Sequence, residues 1–144
     1  MKTLEKVTHF RGKHYFLSNF FPATVVYNGV QYENNEAAFQ AQKQPERAEE
    51  FSSLPPNEAK RLGRRVKLRP DWESVKKGVM KGVVRAKFEQ NPELRAKLLE
   101  TGDAELIEGN HWGDTYWGVC HNKGRNELGK ILVEIRSELR GASS

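Results

Sequence analysis

Prolines set the frame of this chain. Pro45, Pro55, Pro56, Pro70 and Pro92 each remove an amide donor and hold the preceding residue out of the helical region, so helices begin or end where they fall. The segments they mark off read as a helical turn or two over Pro45 to Phe51, a helix over Asn57 to Arg64, a longest helix over residues 70–90 opened by Pro70, and a further helix over Pro92 to Thr101 closed by Gly102. In the longest, Trp72, Val75, Val79, Val83 and Ala86 recur along one stripe with lysines elsewhere, the pattern of a scaffold helix with one buried side. A last helix follows Asn126, with Leu128, Ile131, Leu132, Ile135 and Leu139 marking its core face, and residues 141–144 read as a frayed tail.

The chain ahead of Pro45 is different. Residues 6–32 are rich in aromatic and β-branched types, which predicts short strands near Val7 to Phe10 and Thr24 to Tyr27, with Asn28-Gly29 as a tight turn into Val30 to Tyr32. Ala104 to Glu108 reads as a short strand or one turn of helix. With 144 residues, 37% hydrophobic and 30% charged, the chain suits one compact domain spanning residues 1–140. No run reaches the roughly 20 apolar residues of a membrane span, and the first residues lack the apolar stretch of a signal peptide, so the expected place is the cytoplasm. The single Cys120 excludes an internal disulfide, and His9, His14, His111 and His121 have no metal-ligand spacing; no metal and no cofactor is expected. A net charge of +5 favours anionic partners such as phosphates, nucleotides or nucleic acid.

Chemistry concentrates in four places. Glu36 to Lys43 predicts one short helix capped by Asn34 or Asn35, in which Glu36, Gln40 and Lys43 share a stripe roughly 10 Å long beside Phe39. Solvated, that stripe is an ordinary helix face. Turned to a cleft, it offers a carboxylate to orient a sugar hydroxyl or water and a lysine able to act as a nucleophile once partly desolvated. Phe16 to Pro22 sets Ser18 and Asn19 inside an apolar run: either a loop whose polar side chains serve their own backbone, or one that gives Asn19 to a phosphate or ribose and a phenylalanine such as Phe20 to base stacking. Arg61 to Arg69 holds five cations in which Arg64, Arg65 or Arg69 suits a phosphate, unless the cluster is plain solvated surface. Gly109 to Gly118 mixes glycine with His111, Trp112, Asp114, Tyr116 and Trp117, aromatics that are either buried or stack on a flat ligand; Asp114 either serves a sugar hydroxyl or water or caps a turn.

Taken in order, these pieces resemble the NADAR family, the YbiA-like N-glycosidases. The matching runs are Phe16-Leu17-Ser18-Asn19-Phe20, Glu36 to Lys43 as E-x-x-F-Q-A-x-K, Gly63-Arg64, Leu68 to Glu73, Lys87-Phe88, Leu99 to Gly102, Asp114 to Gly118 and Gly124 to Gly129. Ala37 and Ala38 stand where many YbiA-like members carry histidine and an aromatic. The resemblance implies a mainly helical α+β domain with a few short N-terminal strands. It implies cleavage of a ribose N-glycosidic bond, in a riboflavin-pathway ribosylamino-pyrimidine phosphate or in ADP-ribosylated guanine, the latter extending to modified nucleic acid. Carried over, it makes Glu36, Lys43 and Asp114 catalytic. Ser18, Asn19, Phe20, Gln40, Arg64, Arg69, Trp112, Trp117, Gly118 and Asn126 then bind or shape the substrate site. It also suggests a route in which Lys43 forms a Schiff base with the opened sugar, against direct hydrolysis with Lys43 only binding.

Two rivals stand beside this reading. A module that binds ADP-ribose or NAD without cutting it would tolerate loss of the acid and amine that Glu36 and Lys43 retain. A basic nucleic-acid-binding domain would show affinity for plain DNA or RNA with a steep salt dependence, but acidic residues are interspersed through the lysine-rich helices and no DNA-binding motif is present.

Overall fold

The computed structural model describes residues 6–142. In chain order the elements are β1 (Lys6–Val7), β2 (Pro22–Tyr27), β3 (Val30–Asn34), α1 (Asn35–Ala41), α2 (Pro56–Gly63), α3 (Trp72–Gln90), α4 (Pro92–Glu100), β4 (Glu105–Leu106), β5 (Gly109–Asn110), β6 (Val119–Cys120) and α5 (Glu127–Ala142). Short 3-10 segments cover Gly12–Leu17 and Pro45–Phe51. The fold is α+β and mainly helical. Its packing divides into two units, one of residues 19–92 and one that joins the chain before Asn19 to the chain after Pro92.

In the continuous unit, the hairpin forms because Asn28 and Gly29 both take positive φ, 49° and 81°, the geometry of the type I′ turn that matches strand twist. It pairs Val25 with Tyr32 and Tyr27 with Val30, with an irregularity between Pro22 and Val25. Val25 and Tyr32 are fully buried, joining Ala37, Ala38, Ala41, Phe51, Val83 and Phe88 in one core. Gln90, the last residue of α3, completes the free edge of β2: its amide accepts from the Val26 N–H at 2.8 Å and donates to the Val26 carbonyl at 2.9 Å.

The long helix departs from expectation at its start. It begins at Trp72, two residues after Pro70, because Arg69 takes the Asp71 carboxylate at 2.6 Å and holds residues 70–71 in a turn; Asp71 contributes its backbone carbonyl to the first helical amides instead. Its buried side also differs. Met80, Val84, Lys87 and Phe88 are buried in addition to Trp72, Val83 and Ala86, whereas Val75 and Val79 are only half-buried, so Lys87 is one lysine that does not lie on the solvated face.

In the other unit, β1 pairs in parallel with β4, Lys6 opposite Glu105 and Val7 opposite Leu106. This strand stops at Val7 rather than running to Phe10, since its partner offers only two residues. Within residues 104–108 only Glu105–Leu106 are strand, and β5, inside the glycine- and aromatic-rich run expected to be a loop, pairs in parallel with β6. The core face of α5 is the one expected, Leu128, Ile131, Leu132, Ile135 and Leu139, with Arg136 added because its guanidinium reaches the Thr101 hydroxyl at 2.8 Å. Gly141 and Ala142 are helical rather than frayed, and residues 143–144 lie outside the described residues. Among the described residues no helix is long and apolar enough to cross a membrane.

Candidate active site

The reactive stripe is built by the first turn of α1. Asn34 caps it, its side-chain oxygen accepting from the Ala37 N–H at 2.8 Å, and the Asn19 carbonyl accepts from the Glu36 N–H at 2.9 Å, so two of the helix's free amides are satisfied. Glu36 is buried, only 8% exposed. A carboxylate taken out of water needs donors, and Gln40, one turn on, supplies one from Nε2 to Oε2 at 2.7 Å. The amide of Gln40 is buried with it, and its own Oε1 accepts no hydrogen bond. This stripe does not face open solvent.

Lys43 closes the set. It lies past the end of α1, and its backbone is held on both sides: its N–H donates to the Gln40 carbonyl at 3.1 Å and its carbonyl accepts from the Arg69 N–H at 2.8 Å. The half-buried side chain places Nζ 6.0 Å from the centroid of the Trp72 ring, which itself packs on Phe39. Partial burial holds the amine below the usual lysine range. The Glu36 carboxylate opposes that shift, while Arg64, Lys76 and Lys60 reinforce it by like-charge repulsion. A lysine in this setting loses its proton more readily than one in water, the condition for nucleophilic attack.

Other residues of this unit fall into two classes. Arg64 caps the end of α2 with an exposed guanidinium that makes no ion pair among the described residues, which leaves its fork open to an anion. Arg69 is already engaged by Asp71. Asn19 is buried, and its amide spans Asn35 and the Met80 sulfur at 3.4 Å each, so the structure uses it to seat α1. Phe20 is half-buried.

In the other unit, the glycine- and aromatic-rich loop is organised by Asn110, whose side chain exchanges two hydrogen bonds with the Asp114 backbone at 2.9 and 3.0 Å. Asp114 Oδ1 in turn accepts from the amides of Tyr116 and Trp117, at 3.1 and 2.9 Å. Of its two sequence readings, the turn-capping one is seen. Trp117 is half-buried against Tyr116, and Trp112 is 55% exposed with His111 edge-on to it. Gly118 is needed for close approach, because a Cβ there would run into the Glu108 carbonyl. Asn126 sits at φ 52° and spends its amide on the Glu108 N–H and Leu106 carbonyl, at 3.0 and 2.9 Å, a structural clamp rather than an open ligand. Ser18 is half-buried at the end of the first 3-10 segment. No group of three or more His, Cys, Asp or Glu among the described residues has the geometry to hold a metal ion.

Sequence reading missed two contributors: Asn110, and Trp72 as a neighbour of Lys43. Trp72 carries a signal, its place in the run Leu68 to Glu73 at the start of a helix.

The chain is similar to known proteins over most of its length. The family model described as NADAR domain matches residues 7–140. N-glycosidase YbiA of Escherichia coli strain K12 is 45% identical over 128 residues, covering 85% of this chain and 79% of that protein. N-glycosidase Npun_R5314 of Nostoc punctiforme is 36% identical, covering 88% and 86%. The riboflavin biosynthesis protein VVA0006 of Vibrio vulnificus is 39% identical over 88% of this chain but only 36% of its own length. The NMR structure of Escherichia coli YbiA superposes with a TM-score of 0.86 at 39% identity, over 99% of this chain and 89% of that one.

Proposed function

Because the chain belongs to the NADAR family and its relatives include proteins named N-glycosidases, we propose that Glu36 and Lys43 carry out N-glycosidic cleavage of a phosphorylated ribosyl substrate. The chain is a hydrolase of N-glycosyl bonds. The observation that carries the assignment of residues is the placing of a buried hydrogen-bonded carboxylate in the first turn of α1 and, just past its end, of a lysine whose proton is loosened by burial and by three neighbouring cations.

In this reading the neutral Lys43 amine adds to the anomeric carbon as the C–N bond breaks, and the leaving base departs with the bonding pair and takes up a proton. Positive charge builds at the anomeric carbon during this step, and the Glu36 carboxylate stabilises it. The ring oxygen then gains a proton as the sugar opens to an imine, and water adds to that carbon and returns the free amine. Arg64 is assigned the substrate phosphate, its fork being open where that of Arg69 is closed. Two substrates fit: a ribosylamino-pyrimidine phosphate, in keeping with a relative named riboflavin biosynthesis protein, and ADP-ribosylated guanine.

The test is a product assay by mass spectrometry on both substrates side by side, with Glu36→Gln as control and borohydride added to a parallel sample. Free base from one substrate, lost in Glu36→Gln, together with a sugar adduct reduced onto Lys43, is the expected result. Turnover without an adduct would favour direct hydrolysis. Saturable ADP-ribose binding without product from either substrate would replace the enzyme by a binding module.

A further inference from the structure

We infer that Gly63 is a positioning residue for the Glu36 carboxylate, acting through the side chain of Gln40; the inference rests on the catalytic assignment of Glu36 above. Gly63 is the last residue of α2 and is buried. Glycine weakens a helix relative to alanine, so its presence there asks for a reason. Backbone geometry does not give one, since Gly63 is not among the positive-φ residues. Space does. A Cβ on Gly63 would collide with Oε1 of Gln40 and lie 2.7 Å from its Cδ and 3.2 Å from its Cβ. By contrast, Gly78 within α3 and Gly141 within α5 have nothing within 4 Å of such a carbon.

The object resting on Gly63 is the amide that holds Glu36. Gln40 Nε2 donates to Glu36 Oε2 at 2.7 Å, while Oε1 is buried without a donor. Only one end of the amide is therefore hydrogen-bonded, and contact with the bare glycine locates the other. Turning the amide over would set its oxygen against the carboxylate, which repels it. A methyl group at position 63 has a single outlet: it drives Gln40 away from Gly63, and the Glu36 oxygen it serves is displaced or loses its donor. A displacement of this kind affects the transition state more than substrate capture, because the carboxylate's orientation matters as charge develops.

A double-mutant cycle tests this, using whichever substrate the wild-type enzyme turns over. Gly63→Ala is expected to lower kcat by about 100-fold with KM within about threefold, the size of effect produced by a misplacement near 1 Å. Gln40→Ala lowers kcat on its own. Adding Gly63→Ala to Gln40→Ala is expected to leave kcat within about twofold of Gln40→Ala alone, because the new methyl enters the space the amide has left. Wild-type kcat in Gly63→Ala, or an equal loss in both backgrounds, overturns the inference. If Gly63→Ala alone does not fold, Gln40→Ala/Gly63→Ala against Gln40→Ala decides: recovered folding with unchanged kcat supports it, and a further fall in kcat or continued failure to fold refutes it. Full activity in Glu36→Gln would instead refute the catalytic assignment itself, whatever Gly63 does.

Discussion

Lys43 Nζ stands 6.0 Å from the centre of the Trp72 ring, and the same ring meets Phe39 at 5.2 Å with a 54° tilt. The amine is thus bordered by an aromatic surface on one side and by the charges of Glu36, Arg64, Lys76 and Lys60. Its reactivity depends on which of these prevails, and burial is the largest of them.

Arg64 is the cation that contributes most to loosening the Lys43 proton. Its removal in Arg64→Gln lets Lys43 hold its proton more tightly, so less free amine exists at a given pH. The acid limb of the kcat profile is expected to move to higher pH, whereas Arg64→Lys keeps it near the wild-type position. A profile unmoved by Arg64→Gln would exclude the free amine from the rate-limiting step.

A nucleophilic lysine and a phosphate-binding lysine differ in one substitution. Lys43→Arg keeps the positive charge but cannot supply a neutral amine, so kcat should fall by about 1,000-fold or more while thermal stability changes little. Survival of substantial activity would make Lys43 a binding group.

Asp114 uses Oδ1 as an acceptor for two amides, and an asparagine side chain offers the same oxygen. Asp114→Asn is expected to hold the turn and to keep kcat/KM within about tenfold, while Asp114→Ala loses about 1 kcal/mol of stability in urea unfolding. A collapse of activity in the Asp114→Asn enzyme, with unchanged stability, would assign this carboxylate to the chemistry.

Asn126 joins β4 to the start of α5 from a left-handed backbone position. Asn126→Ala removes both hydrogen bonds and strains the backbone, for an expected loss of about 2–4 kcal/mol; Asn126→Gly relieves the strain and recovers part of it. Equal stability of all three proteins in urea would show that the clamp contributes nothing.

Lys87 is 1% exposed, its amine lying 5.1 Å from the Phe88 ring centre and 5.8 Å from that of Phe21. Burial lowers it from 10.5 to about 7. Between those values the unfolded chain carries a proton that the folded one lacks, so this residue makes stability rise with pH from about 7 to 10.5. The slope is at most about 1.4 kcal/mol per pH unit. Lys87→Met should flatten it, as read by urea unfolding at a series of pH values; parallel curves for the two proteins would mean that the amine stays charged.

What was legible in the sequence was local. Asn28-Gly29 fixes its hairpin by its own dihedral preferences, Asn34 caps α1 from the adjoining residue, and the apolar spacing of α5 names its core face without help from elsewhere. What was not legible depends on partners far along the chain. The two-residue pairs β1–β4 and β5–β6 have no periodicity to read, and Lys87 looks like any surface lysine until Phe21 is folded against it. Gly63 and Gln40 meet only once α2 is folded against α1. The stripe of Glu36, Gln40 and Lys43 was readable as a stripe; its burial, which gives it chemical meaning, was not.

The division of the chain also sets an order of manufacture. Residues 19–92 form one unbroken stretch, and it contains both Glu36 and Lys43. Lys6 and Val7, although made earlier, pair with Glu105 and Leu106. On the ribosome, the stretch with the reactive pair is therefore complete as chain while β1 still waits for its partner strand. Closing that last long loop joins residues far apart along the chain, and on topological grounds it is the slow event to look for when the protein is refolded.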